Sequence, residues 1–134
     1  MAKPSEAIGK RMREDLEKAY MEIIPVPGIE ERLGTLQPNM HVAVTCSPTK
    51  GVDETIELSE KLIAQGFQVI PHIAAKCVSG EKHLETIVKR LDALSIESIF
   101  VPGGDRPEPI GEFNNAYDLL KALQKSGHNI KKIG

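Results

Sequence analysis

His41-Val42-Ala43-Val44-Thr45-Cys46, the helix-period stretch Asp53 to Gln65, and Phe67-Gln68-Val69-Ile70-Pro71-His72-Ile73 decide the fold. The first run is nearly continuous in apolar residues rather than alternating, as in strands covered on both faces. Ser47-Pro48 ends it. Between the two runs, Ile56, Leu62 and Ile63 lie on the inward side of a helix, and Gly66 supplies its stop. A strand, a helix and a second strand in that order predict two parallel strands joined by a crossover helix.

The same unit repeats on either side. Tyr20 to Pro25 predicts a short buried strand, closed by Pro25, Pro27 and Gly28, and Ile29 to Leu36 a short helix stopped by Pro38. Downstream, Glu81 to Leu94 predicts a helix with Leu84, Ile87, Val88, Leu91 and Leu94 inward and a Glu85–Lys89 pair outward. Ser98 to Pro102 predicts a strand. Asn115 to Lys125 predicts a helix with Ala116, Leu119, Leu120 and Leu123 inward, and Ile130 to Gly134 the opening of another strand. Residues 5–20 form a preceding helix with Ile8, Met12, Leu16 and Ala19 on one stripe. The chain thus divides into an N-terminal helical segment, 1–19, and a βα-repeating domain, 20–134.

Composition narrows the function classes. The 134 residues carry a net charge of −2, which gives no basic footprint for nucleic acid. No apolar run approaches the roughly 20 residues of a membrane span, and the charged start lacks a signal-peptide core. The two cysteines, Cys46 and Cys77, form no C-x-x-C pair and fit a reduced, cytoplasmic protein.

In parallel α/β folds ligands gather at the carboxyl ends of the strands. Four such ends carry chemistry here. Glu22 lies among Met21, Ile23 and Ile24, where burial raises a carboxyl pKa and suits a proton donor; solvation at the strand end or pairing with a lysine is the structural alternative. Thr45 either bonds a ligand or caps the turn with Ser47. His72 follows Pro71. Val101-Pro102-Gly103-Gly104-Asp105-Arg106-Pro107-Glu108-Pro109 places Asp105 at a strand mouth after two glycines that permit close backbone approach, or forms an ordinary turn. It is neither a dinucleotide fingerprint nor a P-loop. Cys46, His72, Cys77 and Asp105 could converge on a soft metal, although their spacing is not diagnostic and no metal is assigned.

These motifs, in their order, resemble the methylenetetrahydrofolate reductase family. Met21-Glu22-Ile23-Ile24-Pro25 is similar to its Phe-Glu-Phe-Phe-Pro, Val44-Thr45-Cys46 to its Val-Thr-Tyr, Pro71-His72-Ile73 to its Pro-His-Leu, and Gly104-Asp105-Arg106-Pro107 to its Gly-Asp-x-Pro. Phe113, Ala116, Asp118 and Leu119 match its next helix. The resemblance runs over nearly residues 20–134. It implies a (β/α)₈ TIM-type barrel, of which this chain holds about the first four βα units. It also implies that FAD is reduced by NADH or NADPH and reduces 5,10-methylenetetrahydrofolate, the folate substrate, to the 5-methyl form. Glu22 is then the general acid that protonates N10, and Asp105 stabilises the resulting cation. Thr45, His72, Gly104, Asp105 and Ala116 fall at flavin-contacting positions. The family's arginine before Gly-Asp is Gly103 here, its aromatic before the helix alanine is Asn115, and its His-Leu-Thr-Cys is His72-Ile73-Ala74-Ala75.

Two other functions fit the residues: a non-catalytic folate- or flavin-binding relative, and a metal-dependent barrel enzyme. A closed barrel takes roughly 250 residues. Half of one leaves the first and last strands open, so self-association into a homo-oligomer or an aggregate is expected.

Overall fold

The computed structural model describes residues 5–134; residues 1–4, which include Pro4 of the expected helix start, lie outside the described residues. Helix α1 (Glu6–Lys18) is capped by Ser5, whose Oγ accepts the Ile8 amide at 3.4 Å. Its apolar stripe meets nothing. No residue of α1 is buried, and Leu16 is 71% exposed.

Strand β1 (Tyr20–Ile23) is followed by α2 (Ile29–Leu33), β2 (His41–Val44), α3 (Gly51–Ala64) and β3 (Gln68–Pro71). A 3₁₀ turn (Ala75–Cys77), α4 (Glu81–Ala93), β4 (Ser98–Ile99), α5 (Ala116–Lys125) and β5 (Lys132–Ile133) complete the chain. Helix α2 ends at Leu33, before the expected Leu36. Gly34 and Thr35 turn the chain there, with the Thr35 hydroxyl donating to the Arg32 carbonyl. Helix α3 begins two residues before Asp53, because Ser47 organises the turn. Its Oγ accepts the Thr49 and Lys50 amides, and its carbonyl accepts the Gly51 amide.

All ladders are parallel. Glu22 pairs with Ala43 and Ala43 with Ile70, so β1, β2 and β3 lie side by side in chain order. Strand β3 continues to β4 through a parallel bridge, His72 to Phe100. The Phe100 amide donates to the Pro71 carbonyl at 3.1 Å, and the Ile73 amide to the Phe100 carbonyl at 2.8 Å. Strand β4 pairs with β5. Five consecutive strands therefore neighbour one another in sequence order. Tyr20 and Glu22 of β1 line the same cavity as Lys132 of β5 and Gly134, so the sheet curls toward itself. The molecule is a mixed α/β protein with a parallel sheet, and β1 and β5 do not pair among the described residues.

Helices cover one face of this sheet. Ile23, Val42 and Val44 pack with Leu33, Leu58, Leu62 and Phe67. Ile73, Ile99 and Val101 pack with Ile87, Leu91, Leu119 and Leu123 of α4 and α5. Helices α3 and α4 are also joined at the surface, where Arg90 bonds Glu60 at 2.9 Å and His83 bonds Asp53 at 3.2 Å. The outward Glu85–Lys89 pair expected on α4 is not among the ion pairs; Arg90 reaches across to α3 instead.

The second face carries no helix. The expectation of a strand at 20–25 buried on both sides is corrected here. Tyr20, Met21, Glu22 and Ile24 are exposed, and only Ile23 of β1 enters the core. The cause is the period of two along a strand: Ile23 points to the helices while its neighbours point to the open face or lie along the sheet edge. No described helix is long and apolar enough to cross a membrane.

Candidate active site

The register fixes which side chains share the open face. Residues paired across a parallel ladder point to the same side, and successive residues alternate. Glu22, Ala43 and Ile70 lie in one row, and His72 lies one step further along the same side. Tyr20, Glu22, His72, Phe100 and Lys132 line a cavity of about 250 Å³ on this face. The sequence alone did not single out Tyr20, Phe100 or Lys132. Counting back two from Glu22 and from Pro102 would have found the first two.

His72 is held by its neighbours. Its ring packs against Phe100 with centroids 4.8 Å apart at 50°, and its amide donates to the Val44 carbonyl at 2.9 Å. Desolvation lowers its pKa below the ordinary 6.5, and the nearby Glu22 carboxylate opposes that shift. Glu22 and His72 thus face one cavity and feel one another's charge. Glu22 is not buried among its apolar neighbours: its side chain is exposed, because β1 is an edge strand whose outer face has no covering layer. It is solvated at the mouth of the cavity.

Thr45 follows β2 and is half-buried. Its amide donates to the Ile23 carbonyl at 2.9 Å, and its carbonyl accepts the hydroxyl of the buried Thr55 at 3.0 Å. The step after Val44–Pro71 in the register sets Thr45 beside His72. Thr45 does not line the cavity itself.

Asp105 sits on a tightly built loop. Gly104 has φ +99, a left-handed conformation that favours glycine, and a Cβ there would stand 3.2 Å from the Ala74 side chain. The Ala75 amide donates to the Pro102 carbonyl, the Lys76 amide to the Gly103 carbonyl and the Ile110 amide to the Lys76 carbonyl, at 2.9 to 3.0 Å. Lys76 Nζ donates to the Arg106 carbonyl, and the Arg106 guanidinium to the Pro48 carbonyl. Further on, Glu112 Oε1 accepts the Glu81 amide at 2.9 Å and so closes the N-terminus of α4. A Cβ at Gly111 would lie 2.2 Å from the Ser79 carbonyl oxygen, so only glycine fits that approach. Asp105 itself is exposed, and no hydrogen bond or ion pair engages its carboxylate among the described residues. The loop around it is anchored while its side chain stays accessible.

Ala116 opens α5 and packs against the core rather than lining the cavity. The site residues read from the sequence therefore divide. Glu22 and His72 meet in the cavity. Thr45 adjoins His72. Gly104 and Asp105 form a separate, braced loop, and Ala116 supports the helix behind it.

Two larger questions of chemistry are answered by the same geometry. Among the described residues no three His, Cys, Asp or Glu side chains are placed to hold a metal ion. His72 and Asp105 do not join the cysteines, because His72 turns to the open face, Asp105 is exposed, and Cys46 and Cys77 pack with the covered core. For a flavin, the open face offers the tilted His72–Phe100 ring pair. The diphosphate fits poorly. Gly103 offers no cation, and the N-terminus of α5 is already occupied: Asn115 Oδ1 accepts the Asp118 amide, and Asp118 Oδ2 accepts from Asn115. A carboxylate in that place repels phosphate.

A larger cavity, about 620 Å³, opens at the amino ends of the strands between Lys18, His41, Gln68, Leu94, Glu97 and Lys132. It shares Tyr20, Ile70 and Lys132 with the cavity on the open face and contains neither Glu22 nor His72. No protein-family model matches the chain.

Proposed function

We propose that this chain forms the first part of a (β/α)₈ barrel oxidoreductase that reduces 5,10-methylenetetrahydrofolate to 5-methyltetrahydrofolate, with reduced nicotinamide as hydride source. The observation that carries the reading is the convergence of Glu22 and His72 on one cavity of the uncovered sheet face. The curl of five parallel strands in sequence order supports the barrel geometry, and the ordered motifs support the substrate. A pterin is planar and polar-edged, which suits a cavity with a His72–Phe100 wall and a carboxylate at its rim.

In this reading Glu22 delivers the proton to N10 of the bound folate, opening the one-carbon bridge to an iminium that accepts hydride at carbon. His72, held neutral by desolvation, donates or accepts a hydrogen bond beside it without adding a cation to the iminium. Asp105 stands on the separate loop outside this cavity, and its role in stabilising the cation rests on the ordered motifs alone. The hydride passes from the reduced nicotinamide by way of a flavin in the reading that the ordered motifs support. Thr45, Gly104 and Ala116 shape the strand mouths. A reducing cytoplasm suits the two free thiols.

The test is oxidation of reduced nicotinamide dependent on 5,10-methylenetetrahydrofolate, followed in a complete barrel that contains this segment and in its Glu22→Gln variant. The amide keeps the shape and cannot donate the proton, so turnover falls on the order of 10²–10⁴-fold. A loss of less than a few-fold removes Glu22 from the proton-donor role. A metal-dependent enzyme is not proposed, for want of a ligand cluster among the described residues. A binding-only relative is the outcome if folate binds and no nicotinamide is consumed.

A further inference from the structure

Helix α4 starts against two other elements, and one histidine sits at the junction. His83, in the first turn of α4, uses both ring nitrogens. Nδ1 accepts the Ser79 amide at 3.1 Å. Nε2 lies 3.2 Å from Asp53 Oδ2 and 3.3 Å from Asp53 Oδ1, on α3. A backbone amide can only donate, so Nδ1 keeps its lone pair, and the hydrogen of the neutral ring sits on Nε2 and is donated to Asp53. The Ser79-Gly80 segment held in this way is also the seat of the 102–112 loop. Gly111 packs directly on the Ser79 carbonyl, and Glu112 Oε1 accepts the Glu81 amide at 2.9 Å.

We propose that His83 is a proton-operated latch on this junction: the neutral ring holds the Ser79 amide, and the imidazolium releases it, which loosens the seat of Gly111 and Glu112 and so the downstream end of the loop that carries Asp105. The proton comes from solvent, which reaches a His83 side chain that is 17% exposed. It binds the Nδ1 lone pair, and the ring gains one positive charge. Two N–H groups then face each other at the Ser79 contact, and neither can accept. Histidine is the side chain that ordinarily changes charge between about pH 5 and 8, so the device works in the physiological range. This inference is independent of the reductase reading.

The charges around the ring decide which partner moves. Asp53 holds an imidazolium more strongly than a neutral ring, so the histidine stays on α3 and the Ser79 segment is the part that leaves. Arg90, on the same helix, approaches Asp53 Oδ1 only to 3.7 Å. Its Nε and Nη2 are committed to Glu60 of α3 at 3.1 and 2.9 Å, which leaves Asp53 to the ring. From the loop, Glu112 is the carboxylate at the same helix end, and it is engaged by the Glu81 amide. The positive end of the α4 dipole opposes a cation in the first turn, so both protonation states stay within reach of one another.

The experiment follows the full chain by nitrogen-15 NMR from pH 8 to pH 5. It reads the His83 ring nitrogens and the protection of the Ser79 and Glu81 amides, each relative to an unstructured peptide at the same pH. At pH 8 the ring is expected to carry its hydrogen on Nε2. As the ring titrates, Ser79 protection is expected to fall roughly two- to tenfold, the loss of one ordinary hydrogen bond, with a smaller fall at Glu81. His83→Asn sets an amide oxygen where Nδ1 stood and does not titrate, so its Ser79 protection should stay level across the range. A ring that stays neutral down to pH 5, a hydrogen on Nδ1 at pH 8, Ser79 protection that is constant while the ring titrates, or an undiminished pH dependence in His83→Asn would each overturn the proposal.

Discussion

The two faces of one sheet obey different rules. On the covered face Ile23, Val42, Val44 and Ile99 meet Leu33, Leu62, Ile87 and Leu91, and nearly every side chain is closed to water. On the open face, one residue away along the same strands, Glu22, His72, Phe100 and Tyr20 meet a cavity. The covered face supplies the burial that holds the strands in register. The open face gains from that register a fixed geometry for polar groups it does not need for stability. One strand thus does both jobs through its period of two.

Substitution on the two faces sharpens this contrast, starting with the largest effect. Leu62 is fully buried between α3 and β2, and Leu62→Ala is expected to cost about 3 kcal/mol in denaturant unfolding, within the usual range for a buried leucine. Tyr20→Ala on the open face is expected to change stability by less than about 0.5 kcal/mol, since Tyr20 is 59% exposed. Equal costs would mean that the open face is packed in solution. Next, Gly111→Ala forces a Cβ against the Ser79 carbonyl, and about 1–3 kcal/mol of destabilisation is expected. Hydrogen exchange should show it first at the Glu81 amide, which Glu112 would no longer reach. An unchanged melting temperature would show that the loop bends away at no cost.

The smallest effect is a pH dependence from the open face. Burial holds the His72 pKa below 6.5 in the folded chain. Between that lowered value and 6.5 the unfolded chain binds a proton that the folded chain does not, so stability rises with pH through this window. It is fully present above 6.5 and is lost as pH falls. Because His72 is partly exposed, solvent screening keeps the contribution small. His72→Phe should flatten that segment of the stability curve; an identical curve would place the titration elsewhere.

The covered face was legible in the sequence; of the open one, only Glu22 and His72 were. Continuous apolar runs such as Val42-Ala43-Val44 and the stripe Leu84, Ile87, Val88, Leu91 name their own partners, since a helix or strand has one way to bury them. The strand order followed from the same alternation. Glu22 misled because apolar neighbours suggest burial, whereas burial at a sheet edge depends on a second layer that lies outside the strand's own sequence. The cavity residues Tyr20 and Lys132 come from opposite ends of the chain, and only the curl of the sheet joins them. The loop at 102–112 showed its glycines in advance but not its bracing, because Glu112 reaching the Glu81 amide is a contact across 31 residues.

The central claim is that the open face, at Glu22 and His72, is where a reduced folate binds. Amide chemical shifts of the full chain during titration with 5-methyltetrahydrofolate test it most directly. The account predicts shifts that start at Glu22, His72 and Phe100 and leave Leu58 and Leu62 of the covered face unmoved. Shifts confined to Lys18, His41 and Glu97 at the amino-end cavity, or no shifts at all, would contradict it.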